Sequence, residues 1–324
     1  MASPKSSLAT LRPDLAESLV EFDMAADRAG FIGHSVLPVL NVATQSGVFG
    51  KLKMEDLLSE RNSRRASGAG YARSDFQFST GSYATQEFGV EEVIDDREVA
   101  LYANYLDAEL ISAQRAYDAV LRSAEKRIAD AIFNPTTFAS QKTTVTNEWN
   151  DAANATPLVD VEAAVNAVYD RTGLWANTLI INMKVFRALR NCASIIDRIN
   201  SAGAGNPSKA SDVTVAMLEQ VFALDKIMVA GSSRNAAKEG QDASPVQLWD
   251  SEYAMVAHIS ESADLRKPTL GRTFHWSADG STIGGTVETY REEAIRGDVV
   301  RVRHEVEEKL LYPELGQLLD NITA

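Results

Sequence analysis

The chain has 324 residues, 45% of them hydrophobic and 24% charged, with a formal net charge of −13 and one cysteine. That length allows two modest domains or one large one, and the acidity argues against a protein built to grip a phosphate backbone. The lone thiol, Cys192, excludes an internal disulfide and a multi-thiolate metal site; no apolar run approaches the ~18 residues of a membrane span, and Met1 to Phe22 lacks a signal-peptide core.

In chain order, Asp14 can cap a short helix on which Leu15, Leu19, Phe22 and Ala26 recur at helical spacing. It is too short to form a core alone and reads as an arm. Val36 to Leu40, with Pro38 at its centre, predicts an extended segment near a sheet edge. Val48 to Met54 and Phe76 to Phe88 predict two strands of a long hairpin with little apolar surface of its own. Between them lies a basic tip, Arg61, Arg64 and Arg65, followed by Gly68 and Gly70. From Asp96 to Phe133 there is no proline or glycine. Leu106, Leu110, Ala113, Tyr117, Val120, Leu121, Ala124, Ile128 and Ala131 step by three and four, which predicts one amphipathic helix of about ten turns, roughly 55 Å. Small residues dominate the stripe and no sustained e/g charges accompany it, which argues against a coiled-coil seam.

Asn134-Pro135 ends that helix, and helix and strand then alternate. Asp160 is placed to cap a helix through Tyr169 that stops at Gly173. Thr178 to Asn182 predicts a buried strand, and Asn182 a cap for the helix running to Asn191. Ser201 to Lys209 is a loop, Asp212 starts a helix to Phe222, and Lys226 to Gly231 is a second buried strand. Further strands are expected at Gln247 to Trp249, Tyr253 to Ile259 and Arg272 to Trp276. In the last, long strand Val300, Val302, His304 and Val306 face one way, with Arg301, Arg303, Glu305 and Glu307 opposite.

The search for chemistry assigns no catalytic, cofactor-binding or metal-ligating residue. No phosphate loop occurs. Gly203-Ala204-Gly205 lacks the third glycine and the preceding strand of a dinucleotide fingerprint, and Gly280-Ser281-Thr282-Ile283-Gly284 reads as a surface turn with Thr282 at the nucleophile position. His34, His258, His275 and His304 are scattered and read as structural. The acid pairs Glu91-Glu92, Asp95-Asp96, Glu292-Glu293 and Glu307-Glu308 cannot work as general acid and base by adjacency, since neighbours diverge on a helix or strand. The basic tip reads as a solvated loop, a protein contact or, less favoured by its length, a nucleic-acid contact. One charge pattern stands out. Lys51 to Arg73 is net basic in an acidic chain, whereas Glu87 to Glu98 is strongly acidic. Arg61, Arg64 and Arg65 of one subunit are therefore expected to dock on the region of Glu87, Glu91, Glu92, Asp95 and Asp96 of a neighbour, with complementary potential setting register.

The order of elements (arm, long hairpin, very long helix, mixed α/β region, long late strand) resembles the HK97-type major capsid fold of tailed bacteriophages. The phrases that carry the resemblance are Leu248-Trp249-Asp250, Tyr253 to Ala257, Pro268 to Trp276 and Val287 to Arg303. The resemblance implies an α+β capsid fold divided into an N-terminal arm and first strand (1–45), an extended loop (46–90), a spine helix (91–135), an axial α/β domain (136–285) and a closing strand with tail (286–324). It implies a non-enzymatic shell subunit that self-assembles into hexamers and pentamers of an icosahedral head around double-stranded DNA, without cofactor or membrane. The expected setting is the virion, after assembly in the host cytoplasm. The short segment before the first strand suggests a separate scaffolding protein; a portal, and in some relatives a decoration protein, complete the expected partners. The DNA is expected to be contacted weakly and without sequence specificity. Lys51 and Lys53 lie in the loop region, but no acceptor is identified and no crosslink is expected. An encapsulin-like nanocompartment shell and a soluble α/β enzyme with an unrecognised site are the alternatives. The hairpin and arm, unable to bury themselves, predict large obligate interfaces.

Overall fold

The computed structural model describes residues 10–11, 30–53, 58–60, 64–65, 67–68, 71, 78–97, 99, 108–201, 213–238, 240–262, 264–278 and 280–323. The expected arm helix on Leu15 to Ala26 and the loop around Gly203 lie outside these residues.

Among the described residues the chain runs β1 (Thr10–Leu11), α1 (Gly33–Val36), β2 (Val39–Val42), β3 (Ser46–Leu52), β4 (Phe78–Ala84) and β5 (Gln86–Asp95) into the spine helix α2 (Ala108–Ile132). There follow β6 (Lys142–Thr144), α3 (Pro157–Thr172), β7 (Thr178–Asn182), α4 (Met183–Leu189), α5 (Ala193–Ser201), α6 (Val215–Phe222) and β8 (Lys226–Ala230). The rest is β-rich: β9 (Ser233–Asn235), β10 (Pro245–Gln247), β11 (Ala254–Ala257), β12 (Gly271–Trp276), β13 (Thr286–Glu292), β14 (Gly297–Leu310) and β15 (Gly316–Asp320).

Two sheets organise the molecule. The first has the order β6-β15-β11-β7-β8. Its central strands are buried on both faces, so alternate side chains enter different cores. Leu179 and Ile181 of β7, Val256 of β11 and Leu319 of β15 meet the helices α3 to α6. Ile180, Met255 and Leu318 point the other way, onto Ile128, Ile132, Phe138 and Trp249. The second sheet, β1-β13-β14-β12-β2, is built around β14, whose other edge carries β5 in register from Gly297↔Asp95 to Val306↔Gln86. The N-terminal part of α2 packs on it through Ala113, Ala116, Tyr117, Val120 and Leu121. One helix therefore serves both halves, its last turns in one core and its first described turns in the other.

Local chemistry explains the boundaries. The Asn182 side chain accepts from Lys184 N and starts α4, as its sequence predicts. Gly173, at φ 68°, takes the left-handed position that ends α3. Asp160 does not cap α3. The helix begins at Pro157 after Thr156, since proline's fixed φ suits the first turn, and Asp160 instead accepts the Trp149 indole N–H at 2.9 Å. Likewise α6 begins after Thr214, which accepts from Met217 N, not at Asp212, which lies outside the described residues.

Other expectations shift. Thr85 interrupts the strand predicted from Phe76 to Phe88: β4 stays in the hairpin while β5 joins β14. Gly33 to Val36 is a helical turn, and only Val39 to Val42 extends, as the edge strand beside β12. The spine helix is described from Ala108, so about 37 Å of it is seen at 1.5 Å per residue. The boundary expected at 285/286 does not coincide with a change of sheet: β12 pairs with β14, and β15 returns to β11.

Candidate assembly surface

The hairpin β3–β4 is short of side chains on one face, and that shortage builds its root. Gly47 lies opposite Tyr83 and Gly81 opposite Phe49. A Cβ on Gly81 would stand 2.4 Å from the Phe49 ring, and one on Gly47 would stand 2.7 Å from the Tyr83 hydroxyl. Each aromatic ring thus lies across the opposing glycine, the way an aromatic neighbour compensates a strand glycine. Both rings then reach Phe274 of β12. Tyr83 stacks on it at 4.8 Å with planes 3° apart, and Phe49 at 5.7 Å. Phe274 is fully buried. The hairpin expected to lack apolar surface therefore seats its root on its own subunit.

Carboxylates of β14 fix that seat. Glu305 accepts from Gln45 Nε2 at 2.6 Å and lies 3.1 Å from the Thr85 hydroxyl, and Glu307 accepts from Ala84 N at 2.6 Å. Lys309 donates to the Ser82 carbonyl. Glu305, on the face of β14 opposite His304 and Val306, is only 3% exposed because the hairpin root covers it. Farther out, the Lys51 ammonium sits 4.5 Å from the Tyr312 ring centre, and Leu58 comes so near Gly173 that a Cβ there would lie 2.8 Å from Leu58 Cδ2.

A second junction holds the end of the arm. Gly30, at φ 85°, passes so close to Gly231 that a Cβ would lie 2.5 Å from Gly231 N, and its carbonyl accepts from that nitrogen at 3.2 Å. The next residues are caught by Glu125 of α2, which accepts from Ile32 N (2.9 Å), Gly33 N (2.7 Å) and the Trp249 indole (2.6 Å). Burial pushes this carboxyl's pKa up against those three hydrogen bonds. Arm, spine helix and α/β half thus meet on one side chain.

No protein-family model matches the chain. Two curated relatives do. The major capsid protein of Pseudomonas phage JBD67 is 24% identical over 254 residues, 77% of this chain and 78% of that protein. The major capsid protein of Burkholderia phage BcepMu is 26% identical over 203 residues, 62% of this chain and 64% of that protein. Among solved structures, a phage-related protein from Bordetella bronchiseptica superposes with a TM-score of 0.67 at 17% identity, covering 97% of this chain and 98% of its own. The mature capsid of bacteriophage PhiM1 gives 0.55 at 13% identity, covering 89% and 86%. The chain has the HK97-type fold of phage major capsid proteins.

In this capsid fold the charged residues singled out from sequence fall into two groups. Arg64 and Arg65 lie on the loop beyond β3, with the Arg65 guanidinium 4.7 Å from the Tyr71 ring centre; Arg61 lies outside the described residues. The acidic strip lies along β5 and just after it, and arginines of its own subunit already answer much of its charge. Glu91 pairs with Arg301 at 2.6 Å, Glu92 with Arg115 at 3.3 Å and Glu87 with Arg303 at 3.7 Å. Asp96 makes a two-pronged pair with Arg291 at 2.5 and 2.6 Å, which lowers the aspartate's pKa and raises the arginine's. Asp95 accepts from Arg97 N at 2.7 Å. From the other side Glu288 of β13 meets Arg303 at 2.8 Å and Arg301 at 3.6 Å. The arginines of β14 thus run between acids of two neighbouring strands, a pattern visible only once the strand register is known.

Two arrangements were hidden from sequence reasoning. Glu125 sits beside the apolar stripe of α2, and an ionisable group there is the one signal that could have marked it. The line Asn41 Oδ1–His275 Nδ1 (2.9 Å) and His275 Nε2–Ser281 Oγ (3.3 Å) has the connectivity of a hydrolytic triad. Ser281, however, is 5% exposed and donates to the Trp276 carbonyl at 3.1 Å, so its hydroxyl is held in the structure rather than presented to a substrate. The turn around it lies at the surface, as expected, with Gly280 and Thr282 exposed and Ser281 turned inward. Among the described residues no group of His, Cys, Asp and Glu is arranged to hold a metal ion, and no helix is long and apolar enough to cross a membrane.

Proposed function

We propose that the chain is the shell subunit of a tailed-phage head, assembling with copies of itself as hexamers and pentamers around double-stranded DNA, with a structural and not a catalytic role in the virion. The observation that carries this is the match to a mature phage capsid over 89% of the chain, joined to two relatives that are major capsid proteins. Both relatives come from phages, which favours a container for nucleic acid over a nanocompartment for protein cargo. The net charge of −13 suits a wall that must not hold DNA tightly. Assembly in the host cytoplasm on a separate scaffolding protein, with a portal and in some heads a decoration protein, completes the proposal.

Within the shell, the tip residues Arg61, Arg64 and Arg65 dock beside Glu87, Glu91, Glu92, Asp95 and Asp96 of an adjacent subunit. Because these acids already have partners on their own sheet, docking adds to an existing ion-pair array and sets register more than affinity. Electron microscopy of the purified full-length chain, alone and co-expressed with the protein of its neighbouring scaffold gene, tests the reading. Closed shells of megadalton mass are expected, and a chain that stays a small oligomer under both conditions would overturn it.

A further inference from the structure

Three of the four histidines, far apart in sequence, meet where the arm junction, the hairpin foot and the spine helix converge. His34 lies on α1, His275 on β12 and His304 on β14, near enough for their charges to act on one another. His275 is held at both nitrogens by Asn41 and Ser281. The other two differ. His304 is fully buried, with Nδ1 at 3.1 Å from the Ile283 carbonyl. Among the described residues, His304 Nε2 and the enclosed Nδ1 of His34 meet no hydrogen-bond partner.

The groups around them leave little room for added positive charge. From α2 comes Arg127, whose guanidinium pairs with Glu308 of β14 at 2.6 Å and lies 3.7 Å from the Phe88 ring centre. From β5 comes Phe88 itself, set edge to face with His304 at 6.2 Å. Among the described residues, Glu308 is the carboxylate that acts on both histidines, and it is already engaged by Arg127. Glu125, farther along α2, faces the amides at the start of α1.

We propose that His34 and His304 form an acid-sensitive lock, in which proton uptake opens α1 away from β14 and α2 and loosens the Phe88 end of β5, freeing the arm junction and the hairpin foot together. Burial lowers the pKa of both rings, that of His34 from 6.5 to about 4. A depressed histidine stabilises the closed form while neutral. That contribution is full above about 6.5 and is lost as pH falls toward the closed-state value. Glu125 acts in the opposite sense, because its raised pKa makes the closed form the better proton binder. Acid opening therefore depends on the histidines and not on Glu125. His34 as a residue is only half-buried, so the factor its full shift would give is a ceiling.

Amide hydrogen exchange on the unassembled full-length chain at pH 7 and pH 5, corrected for intrinsic exchange rates, tests the lock. Peptides covering Ile32 to Leu37 and Thr85 to Val90 should open more often at pH 5, by up to about twentyfold for a His34 pKa held at about 4, while Thr178 to Asn182 stays unchanged. His304→Asn, which keeps a donor for the Ile283 carbonyl but cannot titrate, should shrink the increase; His258→Gln, outside the cluster, should not. A change below twofold in the wild type, or an equal increase in His304→Asn, overturns the proposal. Should His304→Asn fail to fold, His34→Leu takes its place, and the wild-type comparison still decides.

Discussion

In the α/β sheet, all of β7 and β11 is buried, and the run of Leu179, Ile180, Ile181, Met255 and Val256 puts apolar side chains into both cores, with Thr178 and Asn182 only at the ends of β7. In the sheet around β14 the pattern alternates. Val300, Val302 and Val306 are buried beneath, while Arg301 and Arg303 lie above them among Glu87, Glu91 and Glu288. The first half is stabilised by apolar burial it supplies itself. The second is joined by carboxylates, a two-residue strand from the arm and an aromatic stack under a projecting hairpin. A subunit that must add neighbours without unfolding gains from this division. Apolar burial is non-directional and hard to exchange, whereas exposed ion pairs and edge strands can be rearranged at small cost.

That comparison can be broken or sharpened by substitution. The largest effect should come from α2, which belongs to both halves. Ala113→Pro removes a backbone hydrogen bond and clashes with the preceding turn, destabilising the chain by about 3 kcal/mol or more in chemical denaturation. Ile180→Ala empties a fully buried site between β7 and Trp249 and should cost about 2–5 kcal/mol, with the whole transition shifted. Tyr83→Ala removes one ring from the Phe274 stack. It should weaken the hairpin root by about 1–3 kcal/mol in local hydrogen exchange over Ser46 to Leu52, while the global midpoint moves little. A shift of the midpoint as large as that of Ile180→Ala would mean the two halves are not held differently. Smallest in stability is Arg64→Glu with Arg65→Glu, since exposed pairs are worth about 0–1 kcal/mol each. Its effect should appear in light scattering as slower assembly at low salt, partly restored by Glu91→Lys with Glu92→Lys. Wild-type rates in the double reversal would remove the docking contact.

The division also governs what the sequence disclosed. β7, α4, β8 and the alternation of β14 were readable, because continuous or alternating apolar runs and a capping asparagine are local signals. β13 and β15 went unrecognised. The first is a mixed-polarity strand whose acids matter only opposite Arg301 and Arg303, and the second is a short strand that returns to the other sheet. The hairpin's seat was hidden for the same reason. Phe49, Gly81, Gly47 and Tyr83 look unremarkable until register sets ring opposite glycine and both rings over Phe274. Buried ionisable groups were least legible. Glu125, His304 and Arg272, whose guanidinium is spent on the carbonyls of Ser262 and Asp264, have partners at long or irregular separations that no spacing rule encodes.

Hydrogen exchange compared between unassembled subunits and purified shells at pH 7 tests the central claim most directly, that one half is complete in the subunit and the other is completed by its neighbours. The account expects β7, β8 and β11 to be equally protected in both forms, with protection gained on assembly at β3, β4 and β5. Equal protection of the hairpin and β5 in both forms, or a gain confined to the α/β sheet, would contradict it.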